Sequence, residues 1–254
     1  MGFSYADWVE VFYPKGMKTG EWLTFYSKHF NAVELDTTFY AVPPVERVQR
    51  WRDETPDDFR FTVKTPHGIT HEQSIDRALP SMREFLDVMR HFADKLSAVL
   101  LQFPPSFTSR EIVRLRKFLD GLPRDFRYAA EFRHPSWFQT HDTGELLAGH
   151  NIAWAACDYA SGPHAVVSTT DFLYIRWIGQ HQRFNEMDHE QIDVSDRLTW
   201  WKDQIAQCSR TVKRVCGFFN NDFAGYAVGT CNRFKQMQGL PVVPVADPRQ
   251  GELF

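Results

Sequence analysis

The sequence lacks every short motif that would fix a reaction on its own. None of its four cysteines, Cys157, Cys208, Cys216 and Cys231, forms a C-x-x-C pair, which excludes a zinc ribbon or a thioredoxin-like centre. There is no G-x-G-x-x-G, no G-x-x-x-x-G-K-[ST] and no H-E-x-x-H, so the common dinucleotide, nucleotide-triphosphate and zinc-protease signatures are missing. Long apolar runs are missing too. The richest stretch, Leu96 to Leu101, is strand-sized and far short of the ~18 residues of a membrane-spanning helix. The first residues show no basic stretch followed by an apolar one, so no secretion signal is expected. Ala6 stands where a myristoylation signal needs Ser or Thr. Positive charge is in short supply: 29 Lys and Arg against 32 Asp and Glu give a net charge of −3. That excludes a generally basic nucleic-acid coat while leaving room for a local basic funnel. A cytoplasmic protein with free thiols and no membrane contact is the expectation.

What is present is an ordinary globular composition of 254 residues, 43% hydrophobic and 24% charged. A chain of this length can bury roughly 70% of its unfolded surface in one core. Strand-like and helix-like segments alternate. Strands are predicted at 32–35, 59–64, 97–103, 126–132, 152–158, 172–178 and 212–219. Helices are predicted near 21–30 and at 45–54, 80–95, 110–122, 143–150, 194–207 and 223–238. The polar residues that close the strands are Glu34, Lys64, Gln102, Glu131, Asp158, Arg176 and Asn220. The 186 residues from Glu34 to Asn220 cover six steps, 31 per step, which is one βα unit. Eight such units predict an α/β fold of the TIM (β/α)8 type, with a doubly wound sheet as the alternative. Ser4–Gly16 reads as a loop, so the first strand is expected to be short or missing. The barrel is expected over residues 1–240, followed by an extended proline-containing tail over 241–254.

Barrel sites lie at the C-terminal ends of the strands, and there the chain carries its chemistry. Glu131, Arg133 and His134 emerge together: a carboxylate for base work, a guanidinium for phosphate, an imidazole for proton transfer. The alternative is a buried Glu–Arg pair that ties barrel layers. Glu34, Lys64 and Arg176 converge from three other strands, either as an anion site with a base or as an interior ion network. His71 either assists catalysis or anchors the loop after the third strand. His71, Glu72, Glu131, Asp158 and His181 are the conceivable ligands of a divalent metal, which the scattered histidines do not favour. No cofactor is implied. Gln102 and Tyr40 add polar and stacking contacts. Asn220 and Asn221 precede the last helix, where they either cap it or help hold a phosphate.

Several motifs resemble the DUF72 family of YecE-like proteins. They are Phe3-Ser4-Tyr5 with Trp8 and Phe12-Tyr13-Pro14, Val33 through Tyr40, Phe61-Thr62-Val63-Lys64 with Thr70-His71, Leu101 through Phe107, Glu131 through Trp137, and Phe219-Asn220-Asn221. They run through nearly the whole chain in the family's order. The resemblance implies a TIM barrel of unsettled function, similar to the endonuclease IV and xylose isomerase barrels. In the family a first strand and a glycine-rich turn normally precede the position of Phe3, and glycine usually stands at the position of Glu10.

The chain's last residues, Gln250-Gly251-Glu252-Leu253-Phe254, resemble the Q-x-x-L-F peptide that docks on the bacterial sliding clamp. In such a peptide Leu253 and Phe254 fill an apolar groove and Gln250 anchors by hydrogen bonds. Three functions follow as expectations. The first is an enzyme, a phosphodiesterase-like hydrolase linked to DNA repair, acting on a phosphorylated substrate. The second is a non-catalytic nucleic-acid or clamp-associated binding protein, and the third a sugar-phosphate enzyme.

Overall fold

The computed structural model describes residues 1–159, 164–208 and 210–244. Gln250, Leu253 and Phe254 lie outside the described residues. Parallel strands alternate with helices: β1 (Ala32–Leu35), α1 (Trp22–Tyr26) before it, α2 (Val45–Asp53), β2 (Arg60–Lys64), α3 (His67–Thr70), α4 (Leu79–Met89), β3 (Leu96–Gln102), α5 (Ile112–Asp120), β4 (Tyr128–Glu131), α6 (Asp142–Gly149), β5 (Ile152–Trp154), β6 (Ala156–Tyr159), β7 (Phe172–Gly179), α7 (Ser195–Cys208), β8 (Arg214–Phe219) and α8 (Ala227–Met237).

The strands form two parallel sheets, β1-β2-β3-β4-β5 and β6-β7-β8. They follow one another in chain order, the α/β arrangement of a TIM-like barrel that is not closed into one ladder. The expected strand over 152–158 is split at Ala155. The Ala155 N–H turns to Ala130 on β4, while Ala156 starts the pairing with β7. The Thr169 hydroxyl takes up the slack, accepting from Trp154 N and donating to Ile152 O. At the opposite seam no strand precedes Ala32 among the described residues. Instead the Met1 amine donates to Phe219 O on β8, and Gly2 N donates to Glu34 O on β1.

Several predicted helices are shorter than their periodicity suggests. The segment expected over 21–30 is a 3-10 turn, Thr19–Glu21, followed by one helical turn and a half. The helix expected over 80–95 ends at Met89 and continues as 3-10, because Ala93 takes a left-handed φ of 54°. The last helix starts at Ala227 rather than at 223. A 3-10 turn, Asn221–Phe223, precedes it, and Gly225 at φ 104° breaks the path between them. In α5 the 3/4 spacing does hold, burying Leu115, Phe118 and Leu119 against the sheet.

Two hydrophobic clusters result. The larger lies between strands and helices. The smaller fills the interior with Ala98, Leu100, Ala129, Ala153, Ala155, Tyr174 and Phe218. Successive strand side chains point to opposite faces. Continuing that alternation one step toward the strand ends places Glu34, Lys64, Gln102, Glu131, Cys157 and Arg176 above the interior cluster.

Candidate functional site

Arg176 on β7 sits at the centre of this polar layer and is buried. Its Nε donates to both oxygens of Glu34 at 3.1 and 3.0 Å, and its Nη2 reaches Glu34 Oε1 at 2.7 Å. Its Nη1 donates to Glu131 Oε2, and Nη2 also meets the Met1 sulfur. The Tyr174 hydroxyl donates to Glu34 Oε2 at 2.6 Å. On the outer side of Glu131, Arg133 Nε donates to Oε1 at 2.9 Å. The two glutamates are thus fully engaged. Burial alone would raise the Glu131 carboxyl, but Arg176 and Arg133 hold it down at about 2. A carboxylate this stable is a poor proton acceptor near neutrality. Arg176, saturated by carboxylates, has little left to offer a ligand.

Lys64 is different. It lies half-buried at the end of β2 and no hydrogen bond or ion pair engages its Nζ among the described residues. Its Nζ stands 3.6 Å from the centre of the Phe39 ring. Burial, then Arg176 and Arg133, lower its ammonium to about 8, with Glu131 and Glu34 opposing. A partly exposed ring face is worth about 0.5–1 kcal/mol to a cation. That is less than one pH unit, too little to restore an ordinary lysine.

His71 follows α3 and belongs to the same neighbourhood. Burial, then His67, Lys64 and Arg133, lower it to about 4, so its ring is neutral at pH 7. Its Nδ1 is 2.7 Å from the Thr70 hydroxyl and its Nε2 is 3.5 Å from Gln102 Nε2. The ring stacks on His67 and meets the edge of Phe39. Arg133 lies with its guanidinium 5.0 Å from the Tyr159 ring centre. Its terminal nitrogens have no hydrogen bond among the described residues. A small cleft beside it is lined by Phe132, Phe138, Ala155, Cys157 and Tyr159.

The structure therefore brings together Glu34, Lys64, Gln102, Glu131, Arg133, Arg176 and His71. Other sequence-predicted residues lie apart or are otherwise occupied. His134 caps the turn Pro135–Phe138, accepting from Ser136 N at 3.2 Å, with Ser136 Oγ at 2.9 Å. Tyr40 packs edge-on to Phe39 and is 85% exposed. Asn220 accepts from Asp222 N, and Asn221 Oδ1 accepts from Ala227 N at the start of α8. Asp158 points away from the interior and binds α7 through Arg197 and the Trp201 indole. Its inward neighbour is Cys157, paired across from Arg176, a residue the strand-end reading passed over. Period two through Ala153, Ala155 and Cys157 was the signal. Burial, with Glu131 next, keeps the Cys157 thiol well above its usual range. Among the described residues no group of three or more His, Cys, Asp or Glu side chains is placed to hold a metal ion, and all four cysteines are free. No helix among them is long and apolar enough to cross a membrane.

Several known proteins are similar to this chain. The UPF0759 protein YecE of Escherichia coli strain K12 is 42% identical over 136 residues, a match spanning 53% of this chain and half of that relative's length. The UPF0759 protein YunF of Bacillus subtilis is 27% identical over 268 residues, covering 95% of both chains. A DUF72 family protein from Thermotoga maritima, known from its crystal structure, superposes with a TM-score of 0.78 at 30% identity, over 94% of this chain and 96% of that one. An Enterococcus faecalis DUF72 protein shares the fold with a TM-score of 0.69 at 23% identity, over 86% and 94%. The family model for the protein of unknown function DUF72 matches residues 1–251, so the chain belongs to the DUF72 family.

Proposed function

We propose that the protein binds a small phosphorylated ligand at the C-terminal mouth of its barrel, with the phosphate on Arg133 and Lys64 beside it. The observation that carries this reading is the contrast among the three cations. Among the described residues Arg176 is consumed by Glu34 and Glu131, whereas Lys64 has no acceptor and Arg133 keeps two nitrogens for a ligand. Charge-assisted bonds from a guanidinium fork suit a phosphate. The cleft beside Arg133 is small and ringed by Phe132, Phe138 and Tyr159, which counts against a nucleic-acid strand as the ligand. The net charge of −3 points the same way.

Thermal unfolding in titrated inorganic phosphate and ribose 5-phosphate tests the reading. A ligand at 100 times its Kd adds about 2.7 kcal/mol. A rise in Tm that disappears in Arg133→Ala supports it; no rise, or the same rise in the variant, overturns it.

The tail carries a separate part of the proposal. Gln250, Leu253 and Phe254 match the sliding-clamp peptide. Binding of the full chain to purified bacterial clamp, lost in Leu253→Ala/Phe254→Ala, supports a link to DNA replication or repair; no binding removes it.

A further inference from the structure

We propose that Lys64 is a nucleophilic amine that captures the carbonyl carbon of a phosphorylated aldehyde or ketone as an imine. The inference rests on the phosphate-binding reading above and names the substrate class.

The geometry isolates the amine. Lys64 ends β2 inside the polar layer, with no carboxylate or hydrogen-bond acceptor on its Nζ among the described residues and the Phe39 ring below it. The charged groups around it come from every neighbouring element. Arg176 on β7 and Arg133 after β4 oppose its positive charge; Glu131 on β4 and Glu34 on β1 favour it. Arg176, bridging both glutamates, and Arg133 on Glu131 together balance the two negative charges. His71, facing Lys64 from the end of α3, is neutral. Lysines become nucleophiles when they are desolvated or set beside another cation, and Lys64 has both conditions.

The chemistry balances without an outside reagent. The Nζ lone pair forms a bond to the carbonyl carbon, and the carbonyl oxygen takes up the proton that nitrogen releases, giving a carbinolamine. The hydroxyl then leaves as water with one further proton, and the nitrogen lone pair forms the C=N bond of a protonated imine. Arg133 holds the phosphate of the same molecule. Hydrolysis of the imine returns the amine.

The test uses pyridoxal 5′-phosphate and unphosphorylated pyridoxal as probes on the full chain at pH 7. Borohydride fixes the imine, and peptide mapping locates it. The exposed Lys15 and Lys213 serve as internal references. The proposal predicts labelling of Lys64 at least about tenfold faster than at either reference, because more of its amine is neutral at pH 7. Lys64→Arg keeps the charge and loses the label. Labelling of Lys64 no faster than Lys15 and Lys213 overturns the inference. Selective labelling by pyridoxal and its phosphate alike supports the amine and overturns the phosphate reading. Phosphate binding in calorimetry with Lys64 unlabelled leaves the phosphate reading standing and overturns this one.

Discussion

Arg176 and Glu34, 142 residues apart in the chain, meet in three hydrogen bonds of 2.7 to 3.1 Å inside the barrel mouth. This pair, with Glu131 as its second carboxylate, decides which residues remain available for chemistry. It engages both glutamates, holds Glu131 ionised and takes the central arginine out of play. The cations at the edge, Lys64 and Arg133, are what a ligand meets.

Removing the centre of that triad leaves two buried carboxylates without their shared partner. Arg176→Met is expected to cost about 3–5 kcal/mol, the usual penalty for an uncompensated buried charge. Thermal unfolding reads this as a loss of roughly 6–20 °C, at about 2–4 °C per kcal/mol. The triple variant Arg176→Met with Glu34→Gln and Glu131→Gln is expected to recover much of the loss, because no buried carboxylate is then stranded.

Acid is expected to destabilise the fold in two adjacent windows. His71 has a folded-state value of about 4 against 6.5, so the unfolded chain takes up its proton first as pH falls through this range. Glu131, at about 2 against 4.5, does the same between those values. Both groups are depressed, so stability is fullest above pH 6.5 and declines below it. A series of Tm values from pH 7 to pH 3 should fall, and Glu131→Gln should flatten the part below pH 4.5.

Two positive-φ positions are expected to respond in opposite directions. Gly179 has φ 74°, and a Cβ there would lie 2.1 Å from the Asp222 carbonyl oxygen. Gly179→Ala should therefore cost at least about 1–3 kcal/mol from the backbone conformation alone. Glu10 takes φ 69° with an ordinary side chain, paired with exposed Lys15. Glu10→Gly is expected to stabilise by roughly 0.5 kcal/mol, because relief of the left-handed strain exceeds the added freedom of the unfolded chain. Chemical denaturation of both variants checks the signs.

Asp158 is expected to separate structure from binding. It joins β6 to Arg197 and Trp201 of α7 and faces away from the mouth. Asp158→Asn should lower Tm and perturb Trp201 fluorescence while leaving phosphate affinity unchanged.

Much of this was legible in the sequence. The polar strand ends of Glu34, Lys64, Gln102, Glu131 and Arg176 give the layer directly, since parallel strands repeat at the length of a βα unit. What periodicity could not show was parity at a strand end: Asp158 closes the strand predicted over 152–158, yet Cys157 is the residue that points inward. Nor could it show which partner each charge takes. Glu131 with Arg133 and His134 looks like one triad in the chain, but His134 turns to Ser136 and Arg176 arrives from β7. Glu10 shows the converse. Its positive φ is the physical reason a glycine suits that turn, and residue type alone concealed it. Ala93 likewise ends a helix by its backbone, where an alanine gives no warning.

Calorimetric titration of ribose 5-phosphate into the wild-type chain, Arg133→Ala, Lys64→Met and Asp158→Asn tests the central claim most directly. The account predicts binding that weakens about tenfold or more when either cation is removed, as expected for loss of a charge-assisted bond of about 1.5–3 kcal/mol, and that persists in Asp158→Asn. No binding to the wild type, or equal affinity in all four proteins, would contradict it.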